Sequence, residues 1–269
     1  MPAKRSSPPV TLTIAGSDNS CGAGIQTDLK TIHALGGYAQ TAITCVVAEV
    51  PGAVEAIAAM PPELVADQIR LSCRAFPVKA AKTGMLFSAA IIRRVAAELA
   101  KLPRPLPLVV DPVMVASGGE PLLEPAAVKA YREHLFPLAT LVTPNLDELR
   151  ILSGEACESL EAMEAAGRRL VTRHGCAFLL KGGHLRGPQA SDILVTRRGC
   201  RRFTAAFVEG IDAHGTGCSF SAGIAAGLAA GLSLARAVGQ AKEFLTAAIR
   251  DHHRWHQTTA LAHAAGGRR

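Results

Sequence analysis

The sequence predicts an α/β fold, in which a single domain is built on a mostly parallel central sheet with helices on both faces. From Val10 onward, short apolar runs alternate with amphipathic stretches along the chain. Most of the apolar runs do not switch between apolar and polar residues, which is typical of parallel strands buried on both faces. The 269 residues contain no internal repeat and no Pro/Ser-rich linker in mid-chain, so one domain is favoured over two.

The first half of the chain predicts strands and helices in alternation. The strand 10–16 ends on a glycine, and the helix 24–35 carries apolar residues at helical spacing before two glycines stop it. Ser88 predicts the N-cap of a helix over 88–102. The remaining predicted elements are strands 41–48, 78–82, 107–111 and 139–143, and helices 62–76 and 125–136.

The second half of the chain predicts more helices, one further strand and a hairpin. Two helical patterns, the second over 159–174, precede a strand over 177–181. Residues 191–198 and 201–207 alternate like a hairpin around Gly199. Two final helices extend to about residue 254, and a Gly-Gly-Arg-Arg tail ends the chain. We therefore expect a flexible lead over 1–9, a domain over 10–254 and a flexible tail over 255–269.

Composition excludes several function classes. The 29 Lys and Arg residues outnumber the 22 Asp and Glu residues and give a net charge of +7, which suits an anionic ligand. The arginine pairs are scattered and aromatic residues make up only 4% of the chain, so we expect no nucleic-acid partner. The seven cysteines are odd in number and lack a C-x-x-C pair, which indicates reduced thiols and a cytoplasmic location.

One stretch has the length of a membrane span. Residues 215–235 contain no charged side chain, but their five glycines, three serines and one threonine lower the hydropathy. Gly223, Gly227 and Gly231 recur every fourth residue and give a helix one smooth face. Such a face is a dimer seam in a membrane, or it lets a helix lie close on a sheet in a soluble protein. The sequence favours the second interpretation, and we expect no membrane partner.

Polar residues and glycines follow the predicted strands. The carboxyl ends of such strands form the sheet edge at which open α/β sheets bind ligands. Neither the G-x-G-x-x-G dinucleotide fingerprint nor a G-x-x-x-x-G-K-[ST] phosphate loop occurs. Six segments carry these residues: 16–24, Glu49, 82–85, 111–114, 143–148 and 181–184.

A seventh segment, 214–219, has the sequence His-Gly-Thr-Gly-Cys-Ser and is the most specific. Its glycines let backbone N–H groups turn inward, and a helix that begins near Gly217 directs its positive end to the same point. This arrangement predicts an anion hole for a phosphate. A cysteine in the first helical turn, Cys218, is expected to have a depressed pKa and to supply a thiolate near neutrality. The alternative is a glycine-rich helix cap beside a small buried cysteine.

The same segments resemble one enzyme family in their order along the chain. They are similar to the hydroxymethylpyrimidine/phosphomethylpyrimidine kinases of thiamin biosynthesis, over about residues 10–249. The resemblance implies a ribokinase-like fold, ATP and Mg²⁺ as cosubstrates, and phosphoryl transfer to a hydroxymethyl group or to a phosphate already on it. The matching motifs are Gly16-Ser17-Asp18 with Gly22-Ala23-Gly24, Lys82-x-Gly84-Met85, Asp111-Pro112-Val113-Met114, Thr143-Pro144-Asn145 with Glu148, Lys181-Gly182-Gly183-His184 and His214-Gly215-Thr216-Gly217-Cys218.

The resemblance implies a role for each matching residue. Cys218 and Lys181 are the expected catalytic residues, with Cys218 at the place of an aspartate base in related kinases and Lys181 near the transferring phosphate. Glu148 and Asp111 are expected at the metal ion. The acceptor is a heterocyclic alcohol or its phosphate, and we expect a homodimer. The remaining expected site residues are Gly16, Asp18, Glu49, Met85 and Val113 at the ring, and Gly215, Thr216, Gly217 and Asn145 at the phosphates and nucleotide.

Three departures from the family pattern bear on the substrate. Cys21 replaces a glycine, and residues 116–119 read Ala-Ser-Gly-Gly where relatives carry a lysine. Glu49 stands where relatives have a ring-recognising glutamine. An ionised glutamate only accepts hydrogen bonds, so it needs a protonated ring, a ligand with two donors, or its own proton. The alternative is that Glu49 turns to solvent.

Three functions are consistent with this pattern. The leading one is an ATP-dependent kinase of a hydroxymethylpyrimidine or its monophosphate. The second is a kinase of a related hydroxymethyl heterocycle, either a pyridoxal-type vitamer or a modified pyrimidine. The third is a ligand-binding pseudokinase, which the missing lysine at Ser117 favours and the presence of Lys181 and Glu148 disfavours.

Overall fold

Nine strands form one central sheet in the computed structural model, which describes residues 7–50, 52–114, 125–183, 185, 188–208, 211, 214–256 and 258–263. The strands of this sheet are β1 (Val10–Asp18), β2 (Tyr38–Val50), β3 (Ala53–Ala59), β4 (Val78–Thr83), β5 (Leu108–Val110), β6 (Leu141–Val142), β7 (Ala177–Gly182), β8 (Gln189–Thr196) and β9 (Gly199–Ala206). The helices are α1 (Gly24–Ala34), α2 (Pro62–Ala75), α3 (Ala89–Ala100), α4 (Pro125–Ala130), α5 (Leu146–Ser153), α6 (Leu160–His174), α7 (Thr216–Ala229) and α8 (Leu234–Arg250).

The sheet has the order β3-β2-β1-β4-β5-β6-β7-β8-β9. The six strands from β2 to β7 in this order run parallel, whereas β3, β8 and β9 pair antiparallel at the two sides. The predicted mostly parallel sheet is confirmed. Because the parallel strands share one carboxyl edge, the polar segments that follow them converge there.

Helices cover both faces of the sheet, as predicted. Successive residues of β5 face opposite sides of the sheet. Val110 packs into the cluster of α2, α3, α5 and α6, whereas Val109 packs with α7 and α8. Both residues are fully buried. Burial on both faces explains why the strands read as continuous apolar runs.

The glycine face of α7 is the seam with α8. A Cβ at Gly223 would lie 3.0 Å from Ala241 Cβ, and a Cβ at Gly227 would lie 2.9 Å from Ala237 Cβ. The expected contact with the sheet is therefore wrong for these two glycines, because they bring α7 close to another helix. Among the described residues, no helix combines the length and the apolar character that a membrane crossing requires.

Four further features differ from the predicted elements. The edge strand β3 was not predicted; its residues are mostly alanine and its side chains are largely exposed. The predicted helix 125–136 is divided into α4, a π-helical turn over Tyr131–Leu135 and a 3₁₀ turn over Phe136–Leu138. The last helix, α8, ends at Arg250 rather than near residue 254. The strands β10 (His253–Trp255) and β11 (Thr258–Ala260) form a short antiparallel hairpin after it.

The segment after α8 contacts the rest of the domain. Leu261 is buried, the backbone N–H of Ala262 donates to the carbonyl of Ala248, and His263 Nε2 lies 3.0 Å from Ser219 Oγ. The expected domain boundary at residue 254 stays a prediction, but the described residues 258–263 belong to the packed body.

Candidate active site

One group of residues, here called the phosphate cradle, comprises Asp111, Lys181 and residues 215–217. Lys181 lies near the end of β7, Asp111 follows β5, and Lys181 Nζ lies 3.0 Å from Asp111 Oδ1. A Cβ on Gly217 would be 3.2 Å from Lys181 Nζ, so the ammonium group lies against the first turn of α7. An ammonium group beside a helix N-terminus binds anions.

The start of α7 requires a glycine. Gly215 is the N-cap residue with a φ of +84°, a left-handed conformation that side chains disfavour. A Cβ at this position would also collide with the carbonyl oxygen of Gly22 in the loop after β1. The two glycine-rich loops that the sequence singled out therefore touch, and Thr216 opens the helix between them.

Charges in the cradle hold one another in the ionised state. Burial raises the pKa of Asp111, but the Lys181 and Lys82 ammonium groups outweigh it and hold this pKa below its ordinary value. Asp111 also accepts hydrogen bonds from Thr143 Oγ1 at 3.2 Å and Ser221 Oγ at 3.1 Å. Burial lowers the pKa of Lys181, yet the Asp111 and Glu148 carboxylates hold it above its ordinary value. Lys181 is therefore cationic and aimed at the start of α7.

Asn145 and Glu148 form a capping box at the start of α5. Asn145 Oδ1 accepts from the Glu148 backbone N–H at 2.9 Å, and Glu148 Oε2 accepts from the Asn145 N–H at 2.9 Å. Glu148 Oε1 accepts from the Met114 N–H at 3.0 Å. Burial, strengthened by Asp111 and opposed by Lys181, raises the pKa of Glu148. This carboxylate thus joins the loop after β5 to the start of α5.

A second group, here called the acid–imidazole cluster, comprises Asp18, Glu49 and His214. Asp18 ends β1, Glu49 is near the end of β2, and His214 directly precedes the Gly215 cap. His214 Nε2 lies 3.4 Å from Asp18 Oδ2 and 4.0 Å from Glu49 Oε1. His214 belongs to the seventh segment, but no role was predicted for it; its position next to the predicted anion hole is the sequence signal that points to it.

The two carboxyl groups of this cluster have different environments. Asp18 Oδ2 accepts from the Ala23 N–H at 2.7 Å and from Ser20 Oγ at 2.9 Å. Burial raises the pKa of Asp18, but hydrogen bonds from His214, Ala23 and Ser20 outweigh it and hold this pKa well below the ordinary value. Burial and the charge of Asp18 raise the pKa of Glu49, against the effect of His214.

The other expected ring residues lie on the same sheet edge. A Cβ on Gly16 would lie 2.8 Å from Cys45 Sγ and 3.8 Å from Met85 Sδ. Thr44 Oγ1 donates to the Met85 carbonyl at 2.6 Å, which joins β2 to the loop after β4. Val113 has a φ of +41°, an outlier for a β-branched residue, and such strain clusters at functional sites. Residues 116–119 and His184 lie outside the described residues.

The predicted thiolate at Cys218 is wrong. The residue lies in the first turn of α7, as expected, but burial raises the pKa of its thiol to about 11. The Lys82 ammonium group favours the thiolate, whereas the Asp28 and Asp111 carboxylates oppose it. The position at a helix start therefore does not offset the loss of water around the sulfur. Cys218 is a neutral thiol near pH 7, and its expected catalytic role stays a prediction.

A wholly buried ion pair was not predicted. Lys82 Nζ lies 3.0 Å from Asp28 Oδ1 and 2.9 Å from Asp28 Oδ2, and Thr13 Oγ1 donates to the same carboxylate. Lys82 Nζ also lies 2.7 Å from the position of a Cβ on Gly84, so this glycine makes room for the ammonium group. The pair joins β4 to α1 beneath the segments that carry the site.

Comparison with known proteins places these features in a family. A family model described as phosphomethylpyrimidine kinase matches residues 18–263. A hydroxymethylpyrimidine/phosphomethylpyrimidine kinase from Rhizobium meliloti is 44% identical over 241 residues, which cover 89% of this chain and 90% of that protein. A thiamine biosynthesis bifunctional protein from Geobacter sulfurreducens is 45% identical over 239 residues, 89% of this chain and 49% of that protein. The chain thus spans about half the length of this second relative.

The fold comparison agrees with the sequence comparison. The solved structure of pyridoxal kinase from Bacillus subtilis, an ADP complex, superposes with a TM-score of 0.88 at 35% identity and covers 96% of this chain and 98% of its own. The expected ribokinase-like architecture is confirmed. The chain belongs to the phosphomethylpyrimidine kinase family and is a phosphotransferase.

Proposed function

We propose that the protein is an ATP-dependent kinase that transfers a phosphoryl group to the hydroxymethyl group of a hydroxymethylpyrimidine, or to the phosphate of its monophosphate. The observation that carries this function is the Lys181 ammonium group held by Asp111 against the glycine-capped start of α7. Phosphoryl transfer requires positioning and neutralisation of charge more than covalent chemistry. The phosphate cradle supplies both, and ATP use is supported by the relatives named as kinases.

Mg²⁺ suits two acidic residues, one in the cradle and one beside it. Mg²⁺ is held through one or two carboxylates together with substrate phosphates, and it neutralises charge on the phosphate oxygens. Asp111 and Glu148 are buried carboxylates that both interact with Lys181. In our proposal these two residues hold the ion, while Asn145 and residues 215–217 face the nucleotide phosphates.

The acceptor ring lies on the other side of the cradle in this proposal. Glu49 and Asp18 face it from the ends of β2 and β1, and Met85, Gly16 and Val113 line it. Cys218 is a neutral thiol beside the hydroxymethyl group, where it positions the acceptor, because a thiol that already carries its proton does not take a second one. The hydroxyl proton passes to a phosphate oxygen or to water late in the transfer, which suits the dissociative character of phosphoryl transfer, in which the attacking oxygen needs little activation.

A panel of acceptors tests this function. The purified protein with ATP and Mg²⁺ would be incubated with aminopyrimidine alcohols and their monophosphates, and the products would be weighed by mass spectrometry. We expect one added phosphate on the alcohol and a second on the monophosphate, both lost in Lys181→Ala. ATP-bound protein that phosphorylates no heterocycle would contradict the proposal and support the pseudokinase alternative.

A second candidate acceptor belongs in the same panel. The Bacillus subtilis structure is a pyridoxal kinase, and it covers almost the whole chain. A pyridoxal-type vitamer also carries a hydroxymethyl group on a nitrogen heterocycle. Higher kcat/KM for pyridoxal than for the aminopyrimidine alcohol would assign the protein to this second reaction.

We also propose a homodimer formed through β2 and β3. The strand β3 lies at the edge of the sheet, and an exposed edge strand is a template for pairing with another chain. Val46 and Val50 on β2 and Val54 on β3 are large apolar side chains exposed at 45%, 57% and 45%. A second copy of the chain would cover them. Sedimentation should show a dimer that Val50→Lys converts to a monomer, and a monomeric parent protein would contradict this proposal.

The compartment follows from the cysteines. All seven are free thiols, and we propose that the enzyme works in the reducing cytoplasm.

A further inference from the structure

We propose that the acid–imidazole cluster makes this kinase selective for an acceptor whose ring carries a positive charge, a protonated nitrogen heterocycle bearing a hydroxymethyl group. The inference rests on the proposed function, because it concerns the acceptor of the same reaction. The inference goes beyond the proposed function by assigning a charge state to the ring and a discriminating role to Glu49 and His214.

The position of the cluster relative to the cradle supports this assignment. His214 is joined directly to Gly215, the N-cap of the anion-binding helix. Its ring packs over the loop after β1, since a Cβ on Gly22 would lie 2.8 Å from His214 Cδ2. The backbone N–H of Glu49 donates to Asn19 Oδ1 at 2.7 Å, which holds the end of β2 beside the same loop. A hydroxymethyl group at the cradle therefore places its ring next to the cluster.

When Glu49 is ionised, the charges of the cluster do not cancel internally. The ligand atoms of Asp18, Glu49 and His214 all lie within 4.8 Å of one another. Asp18 is ionised, and one imidazole can neutralise only one carboxylate even when it is protonated. Among the described residues, the titratable groups that interact with Glu49 are Asp18, His214 and the Cys45 thiol, and none of these three adds a second positive charge.

Of the two carboxyl groups in the cluster, Glu49 is the one that a ligand can reach more readily. Its side chain is 13% exposed, whereas that of Asp18 is 3% exposed. An ionised carboxylate accepts hydrogen bonds but donates none, so a neutral ring nitrogen would face it lone pair to lone pair. A ring N–H⁺ would donate to Glu49 and supply the missing charge, and charge-assisted hydrogen bonds of this kind are about twice as strong as neutral ones.

A metal ion fits the same cluster less well. Asp18 already accepts from Ser20 Oγ and the Ala23 N–H at Oδ2, and from the Ser20 N–H at Oδ1. A metal ion ligated by all three side chains would compete with these three hydrogen bonds for the oxygens of Asp18. The organic cation instead needs only Glu49 and leaves this loop intact.

A pair of rings with matched shape and different charge tests the inference. The affinities of (4-aminopyridin-3-yl)methanol, whose ring nitrogen carries a proton at pH 7, and 2-aminobenzyl alcohol, its neutral counterpart with C–H in place of N–H⁺, would be measured by ligand-detected NMR titration at pH 7 without nucleotide and with a chelator present. We expect the cation to bind about tenfold tighter to the unmodified protein. Glu49→Gln should abolish this preference, and Glu49→Asp, which keeps the charge, should retain part of it.

Glu55→Gln is the matched control, because it makes the same chemical change at an exposed position on the neighbouring strand β3. It should leave the tenfold ratio unchanged. Equal binding of the two rings, an unchanged ratio in Glu49→Gln, or binding that disappears with the chelator would each overturn the inference. If heterocyclic alcohols are phosphorylated while the charge preference is absent, the inference fails and the proposed function stands. If no heterocycle binds or is phosphorylated, both fail.

Discussion

Burial favours the neutral form of both residues expected to be catalytic, but only one of them loses its charge. Lys181 keeps its charge because Asp111 and Glu148 face it, so the pKa of the ammonium group is raised despite burial. Cys218 faces a mixture of Lys82, Asp28 and Asp111, and burial decides its charge. The residue type and the helix position were visible in the sequence, but these neighbours come from distant parts of the chain. The thiol therefore shows why site residues can be predicted more readily than their ionisation.

Replacement of Lys181 should act on the transfer step. Because the ammonium group neutralises charge that develops during transfer, we expect Lys181→Ala to lower kcat by about 10²–10³-fold. The affinity for the acceptor ring should change little, because the ring lies at the other cluster. Steady-state kinetics together with acceptor titration would measure both, with Lys79→Ala on the exposed side of β4 as the control. Near-normal turnover in Lys181→Ala would remove this lysine from the mechanism.

The Cys218 thiol should react as a neutral group at physiological pH. Since only the thiolate is alkylated, its rate with iodoacetamide should rise about tenfold per pH unit. The increase should continue toward the pKa of about 11 and show no plateau near neutrality. Peptide mass spectrometry would separate Cys218 from the other six cysteines, and Cys218→Ser would confirm the assignment. A plateau near pH 7 would restore the thiolate that the helix position alone predicted.

At the scale of elements, the contact between two glycine-rich loops shapes the site. Gly215, the N-cap residue of α7, lies against Gly22 in the loop after β1, and this contact links two segments from opposite ends of the chain. The individual helices and parallel strands were predictable, because apolar periodicity, the Ser88 cap and the glycine stops are local signals. The edge strand β3 and the π-helical turn lack such signals, since pairing and packing with distant residues produce them.

Two glycines with the same φ angle allow a matched test of this contact. Gly215 and Gly231 both have a φ of +84°, but no atom of the described residues lies within 4 Å of a Cβ on Gly231. Alanine at Gly231 should destabilise the fold by about 1–2 kcal/mol, the cost of a left-handed residue, and alanine at Gly215 should cost more because its Cβ also collides with the Gly22 carbonyl oxygen. Only Gly215→Ala should also abolish turnover, because it pushes the start of α7 away from the loop after β1. Denaturation and activity assays would separate the two effects, and full activity in Gly215→Ala would contradict this role.

At the scale of the whole molecule, a buried ion pair joins the sheet to the helix layer. Lys82 and Asp28 are both fully buried. A buried ion pair is not by itself stabilising, but removal of one partner leaves an uncompensated charge. We expect Lys82→Met to lower the free energy of unfolding by about 3–5 kcal/mol.

Urea denaturation would measure this change. The double variant Lys82→Met/Asp28→Leu should recover most of the stability, because it removes the unpaired carboxylate as well. Arg70→Met, which breaks an exposed pair with Asp67, is the control and should have a much smaller effect. A Lys82→Met protein as stable as its parent would show that Asp28 gains a proton without penalty.

The seam between α7 and α8 limits how this enzyme can diverge. At Gly223 and Gly227 even one added methyl group would lie too close to α8, because Ala241 and Ala237 already occupy the space. In a saturation scan, alanine at either position should be depleted nearly as strongly as a charged residue, although alanine is the better helix former. Variation at these sites should therefore occur as paired exchanges, with a smaller residue on α8 accompanying any larger one on α7. Because α7 also begins at the anion hole, the spacing between α7 and α8 limits which substitutions in these two helices preserve phosphate binding.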